Sequence, residues 1–210
     1  MYKIFLVVLI GYLMGCLQWS YFLSKSIKKV DIRNLGGGNA GASNTVTVFG
    51  WKMGVAVALL DIVKAIISIL IIKYLFKISY LDNNMSYLYL NGTGVILGHN
   101  YPFFMNFKGG KGTASTVGML FGIDYRIGII GFLIILIVTI ATDYIALGTI
   151  SLVTFFVIAT IYLNFGTACL LLALFIALQS IYKHIPNLKK IIARNESGLR
   201  DALKRKAKNT

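Results

Sequence analysis

The sequence predicts an all-α integral membrane protein of about seven transmembrane helices, with the N-terminus outside and the C-terminus cytoplasmic. Three observations carry this. The chain is 57% hydrophobic, with a mean hydropathy of +0.76. Its apolar residues come in long uninterrupted runs rather than as amphipathic faces. Its Lys and Arg gather in the connections and the C-terminal tail.

The first run, 3–24, is too long for a signal-peptide core and lacks a small-x-small cleavage site. Its positive flank (Lys25, Lys28, Lys29, Arg33) follows the run, the reverse of a secretory signal, so it reads as a span. The second, 52–76, holds Asp61 and Lys64, an ionisable pair spaced i to i+3 on one helical face. Such a pair is costly in a span and reads as structural or site-orienting. Two short runs, 86–98 and 112–124, precede three longer ones at 126–142, 144–163 and 165–183. The spacings Gly11/Gly15, Gly94/Gly98 and Gly118/Gly122 predict close helix–helix contacts. Cys16 and Cys169 lie inside apolar runs with no metal-ligand spacing and read as packing residues, so no disulfide or metal is expected.

A net charge of +14 could suggest nucleic acid, but the cations sit where the positive-inside rule places them, so no nucleic-acid partner is expected. The tail alone carries Lys183, Lys189, Lys190, Arg194, Arg200, Lys204, Arg205, Lys206 and Lys208; the opposite side keeps Lys3, Lys73, Lys77 and Arg126. We expect one polytopic domain over 1–210, acting as a monomer, with a basic cytoplasmic tail over about 185–210 whose LKRKAK run forms a helix at the anionic inner leaflet.

Alternating spans bring three polar segments, distant in sequence, to one membrane face. The first runs from Asp31 and Arg33 into Gly36, Gly37, Gly38, Asn39, Gly41, Ser43 and Asn44. Successive small residues can turn backbone N–H groups inward as an anion-binding nest; a plain re-entrant bend is the alternative. The second begins with His99 and Pro102, passes Tyr101, Phe103, Phe104 and Phe107, and reaches Lys108, Gly109, Gly110, Lys111, Gly112 and Thr113. Its lysines and the following helix N-terminus favour phosphate, and its aromatic residues suit the interface where an acyl chain enters. It is not a P-loop, because Gly112 separates Lys111 from Thr113. The third comprises His184, Asn187 and Glu196.

These motifs resemble the PlsY-type family of acyl-phosphate:glycerol-3-phosphate acyltransferases of bacterial membranes. That family carries patterns like DIRxxGSGNxGATNxxRxxG, GHxxPxFxxFKGGKGxAT and HRxNIxRxxxGxE; this chain reads DIRNLGGGNAGASNTVTVFG, GHNYPFFMNFKGGKGTAST and HIPNLKKIIARNE. The resemblance implies a multi-pass protein of the bacterial plasma membrane with a site facing the cytoplasm. The implied reaction is acyl transfer from acyl phosphate to the 1-hydroxyl of glycerol 3-phosphate, giving lysophosphatidic acid, without cofactor or metal. Lys111, His184 and Asn187 then take the catalytic positions. Arg33, Gly36, Gly38, Asn39, Gly41, Ser43, Asn44, His99, Lys108, Gly109, Gly110, Gly112 and Glu196 take substrate and phosphate binding. The general base is either His184 or the substrate's own phosphate.

Departures from the family pattern are Gly37 for Ser, Ser43 for Thr, Thr47 for Arg, and Asp143 and Ala146 where Arg and Ser are frequent; Ile185 and Arg194 depart in the third motif. A charge-assisted hydrogen bond to phosphate is worth about 1.5–3 kcal/mol, which each such replacement would forgo, and an anion at Asp143 opposes phosphate. A diverged paralogue with another acceptor, or with no activity, is one alternative. The other is a transporter or binder of a phosphorylated solute or lipid, which internal inverted repeats would favour.

Overall fold

The computed structural model describes residues 2–78 and 84–201, and these are helices and their connections without a strand. The helices are α1 (Tyr2–Gly15), α2 (Trp19–Lys28), α3 (Ala42–Phe49), α4 (Trp51–Phe76), α5 (Met85–Asn100), α6 (Thr113–Ile123), α7 (Tyr125–Thr142), α8 (Ile145–Tyr162) and α9 (Thr167–Ile192). Among the described residues 5 stretches are long and apolar enough to cross a membrane: Tyr2–Lys28, which contains α1 and α2, and then α4, α7, α8 and α9.

By length and apolarity, 5 of the seven expected spans therefore stand among the described residues. The short runs form α5, of 16 residues, and α6, of 11. At about 1.5 Å rise per residue these reach about 24 and 16 Å, less than the ~30 Å of a hydrocarbon core. The physical reason lies in where α5 sits. It is packed by α1, α4, α6 and α9, and most of its residues are buried, so it need not be apolar enough for lipid. Its polar side chains find partners on those neighbours. Asn91 donates to the carbonyl of Val7 (3.0 Å) and accepts from Ser68 (2.8 Å), while the Tyr89 hydroxyl pairs with Thr160 (2.8 Å).

Close approach of α1 to α5 depends on the predicted small residues. A Cβ on Gly11 or Gly15 would overlap the carbonyls of Asn91 or Val95, and one on Gly94 or Gly98 those of Val8 or Tyr12. Gly118 and Gly122 do the same for α6 against Ile62 and Ile69 of α4. Cys16 and Cys169 are free cysteines buried in the packing, as expected.

Two further expectations change. The run 3–24 is broken between Gly15 and Trp19, because the carbonyls released there gain better partners: Lys64 of α4 donates to those of Gly15 (3.1 Å) and Leu17 (2.7 Å). The last helix continues past the expected end at 183 to Ile192, with Pro186 inside it. The LKRKAK run lies outside the described residues.

Candidate active site

The loop before α3 is organised by two side chains. Asp31 accepts from the backbone N–H of Arg33 (3.0 Å) and forms a two-pronged ion pair with its guanidinium (2.7 Å at the closest), whose remaining arm donates to the carbonyl of Met105 (2.7 Å). Arg33 thus clips the first loop to the second, and its hydrogen bond holds the Asp31 carboxyl below the usual carboxylate range. Asn44 is buried beneath the loop. Its oxygen accepts from Gly37 N–H (2.6 Å), and its amide donates to the carbonyls of Ile32 (3.1 Å), Leu35 (3.0 Å) and Asn39 (2.9 Å). That wrapping needs Gly36 in the left-handed region (φ 57°) and starts α3 at Ala42, after Gly41, with no side chain capping its first N–H groups.

The second loop turns back onto the end of α5. The carbonyls of Asn100 and His99 accept from Gly109 (3.1 Å) and Gly110 (3.0 Å), and Ala40 donates to Gly109 (3.3 Å), tying the two loops together. Gly112, at φ 83°, then swings the chain into α6, again without a side-chain cap. Two helix N-termini with free N–H groups therefore open near one another. This is the electrostatic and geometric setting that holds anions.

Lys111 stands between them. Its amine donates to the Asn187 side-chain oxygen, and the Asn187 amide donates to Glu196 (2.5 Å), linking the second loop to α9 and to the segment beyond it. Burial lowers the Lys111 pKa to about 8; Glu196 opposes the drop and Lys183 and Lys190 add to it. One turn away the His184 ring bonds to the carbonyl of Ser180 (2.8 Å) through Nδ1. A carbonyl can only accept, so Nδ1 carries the hydrogen and Nε2 is the basic nitrogen of the neutral ring.

These groups surround one cavity of about 670 Å³. Its polar end is lined by Gly36, Asn39, Gly41, Ser43, Asn44, His99, Lys111, Gly112, His184, Asn187 and Glu196, so the three segments do meet at one end of the helices. Its other wall is apolar, with Val46 of α3, Val55 and Ile62 of α4, and Phe132 and Leu136 of α7. Arg33, Gly38, Lys108, Gly109 and Gly110 lie outside this lining. Lys108 is exposed, and Gly110 is buried under the loop, where a Cβ would overlap the His99 imidazole.

Lys190 and Thr113 also line the cavity, beyond the site residues that the sequence predicts. On sequence Lys190 counts as a tail charge. Its placement three residues after Asn187 on a helix running through that point is the signal that ending the span at 183 conceals.

Fold and site together define a multi-span helical membrane protein with a polar pocket, holding Lys111 between two helix N-termini, that continues into an apolar slot. Residues 5–194 match the family model described as glycerol-3-phosphate acyltransferase. The chain is 44% identical over 201 residues to glycerol-3-phosphate acyltransferase 1 of Oceanobacillus iheyensis, covering 95% of this chain and 96% of the relative. It is 38% identical to glycerol-3-phosphate acyltransferase of Thermoanaerobacter pseudethanolicus, covering 92% and 94%. Among solved structures it is similar to PlsY (YgiH), an integral membrane glycerol 3-phosphate acyltransferase, in its glycerol 3-phosphate form, with a TM-score of 0.84 at 30% identity over 93% of this chain and 95% of that one. The chain belongs to the glycerol-3-phosphate acyltransferase family, and it is a membrane acyltransferase of phospholipid synthesis.

Proposed function

We propose that the cavity joins acyl phosphate to glycerol 3-phosphate. The observation that carries this reading is the Lys111–Asn187–Glu196 relay set between the uncapped starts of α3 and α6, at the mouth of an apolar slot. The related PlsY structures in glycerol 3-phosphate and lysophosphatidic acid forms support it.

Acyl phosphate is a mixed anhydride and already activated, so the protein has mainly to position and to neutralise. The acyl chain lies along Val46, Val55, Phe132 and Leu136. The Gly36–Gly41 backbone, with Asn39 and Ser43, takes the donor phosphate. Lys111, Asn187 and Lys190 hold the phosphate of the acceptor. The 1-hydroxyl oxygen attacks the acyl carbon, the bond from that carbon to the phosphate oxygen breaks, and inorganic phosphate leaves with the pair of electrons. His184 Nε2 accepts the hydroxyl hydrogen bond and takes the proton, which passes to the leaving phosphate. Arg33, Asn44, Gly109 and Gly110 act by shaping the loops.

We further read the cavity end as cytoplasmic in a bacterial plasma membrane, with the N-terminus outside. The excess of Lys and Arg near that end supports this orientation. In that reading α5 and α6 complete seven passes, because protein rather than lipid surrounds α5. The test is transfer from palmitoyl phosphate to labelled glycerol 3-phosphate by purified protein in detergent. Lysophosphatidic acid formed by the wild type and lost in Lys111→Ala supports the assignment; no product from folded wild type with any acyl phosphate overturns it.

A further inference from the structure

Asp143 lines the cavity, and an anion beside the proposed phosphate pocket needs a reason. The structure supplies one. α7 ends at Asp143, which takes the left-handed conformation (φ 71°) and faces the stretch that returns from α9. The Asp143 carbonyl accepts from Leu199 N–H (2.9 Å), and its carboxylate accepts from Arg200 N–H (2.8 Å). The Arg200 guanidinium donates to the carbonyl of Ile140 (3.2 Å). Gly198 is buried against the carboxylate so closely that a Cβ would overlap it.

The carboxylate thus satisfies the Arg200 N–H at the turn that begins at Leu199, as a capping side chain does. Between this attachment and the end of α9, Asn195 to Leu199 run along the rim of the cavity, and Glu196 in that stretch accepts from Asn187. The rim segment is pinned at one end by α9 and at the other by Asp143. Glu196 sits between the pins.

We propose that Asp143 is a positioning residue for the phosphate site: it latches residues 198–200 to the end of α7 and thereby holds Glu196 on Asn187 and, through Asn187, the amine of Lys111. The reading rests on the function proposed above only in giving Lys111 a phosphate to bind. The latch itself is a matter of backbone hydrogen bonds and stands or falls without turnover. Glu196 supports the charge on Lys111, against which Lys183 and Lys190 of α9 act. Loss of the latch takes that anion away.

The experiment compares wild type with Asp143→Ala, Asp143→Asn and Gly198→Ala in the full chain in detergent. Amide hydrogen exchange of the 196–200 stretch is read first, then the KM for glycerol 3-phosphate, kcat, and the pH profile of kcat/KM. Asp143→Ala is expected to speed exchange at Arg200 about fivefold, the loss of one ordinary hydrogen bond. It is expected to raise the KM several-fold with little change in kcat, because a loosened Lys111 binds ground and transition states equally less well. The alkaline limb moves to lower pH, since Glu196 no longer supports the ammonium. Asn keeps the accepting oxygen, so Asp143→Asn restores all three, while Gly198→Ala, which pushes the segment off the carboxylate, copies Asp143→Ala. Unchanged exchange in Asp143→Ala overturns the latch even if no acceptor is turned over. Faster exchange with an unmoved KM and pH profile overturns the positioning role. Failure of glycerol 3-phosphate in the wild type alone sinks the reaction and leaves the exchange result to decide the latch.

Discussion

The Nζ of Lys64 lies 3.0 Å from Nδ1 of His99, and the same amine is 2.7 Å from the carboxylate of Asp61. It also donates to the carbonyls of Gly15 and Leu17, so one buried cation joins α4, the α1–α2 break and the end of α5. The His99 carbonyl takes Gln18 (2.7 Å) and Gly110, and the His99 ring backs the second loop. The i to i+3 pair seen in the sequence is therefore a support for the site.

Lys64→Met removes the amine's contacts with Gly15, Leu17, His99 and Asp61 and leaves Asp61 buried without that cation. Breaking a buried pair from one side costs about 3–5 kcal/mol. Thermal unfolding in detergent should show a large drop in Tm. Asp61→Asn combined with Lys64→Met should recover part of it, because no unpaired charge is left.

Lys111→Ala deletes the charge-assisted bond proposed to phosphate and, within the fold, one hydrogen bond to Asn187. At about 1.5–3 kcal/mol the loss corresponds to roughly 10- to 150-fold in kcat/KM. Steady-state kinetics with varied glycerol 3-phosphate should show it, with Tm near that of the wild type.

The lowered pKa of Lys111, about 8, gives a pH dependence of stated sign. Only the protonated amine attracts phosphate, so kcat/KM should hold below that value and fall as pH rises through it. A profile of kcat/KM from pH 6 to 10 checks this, and Glu196→Gln should move the alkaline limb to lower pH by removing the group that supports the ammonium.

His184→Ala separates the two bases considered for the hydroxyl. With His184 taking the proton, kcat should fall about 10²- to 10⁴-fold while the KM for glycerol 3-phosphate changes little. A loss of only a few-fold would give the role to the substrate's own phosphate.

Arg33→Ala should act through the loops. Its guanidinium is spent on Asp31 and Met105, outside the cavity lining, so the expected signature is a fall in Tm together with a fall in activity, unlike Lys111→Ala. Acid should have a related effect. The Asp31 carboxyl is depressed by Arg33, so its share of stability is present above the ordinary carboxylate pKa and is lost as pH falls through the lowered one. Urea or thermal titration from about pH 5 down to about pH 2 reads it.

Much of this protein is written locally. Hydropathy alone marks α4, α7 and α8 almost to their ends, and residue types and order single out the first Gly-rich loop, Lys111, His184 and Asn187, which line the cavity. Alternation of spans is enough to bring the three segments to one end. What local pattern could not decide depends on neighbours. Apolar content does not reveal that α5 is wrapped by protein and can hold Asn91, nor that Lys64 breaks the first span by taking its carbonyls. Residue type does not separate Lys111, which lines the cavity, from exposed Lys108, or show that Arg33 and Asn44 spend their polar groups on the loops. Nor does it show that the Asp143 carboxylate is occupied by Arg200 N–H. A side chain's chemistry belongs to the residue, but which partner satisfies it is fixed only when distant segments compete for it in the folded chain.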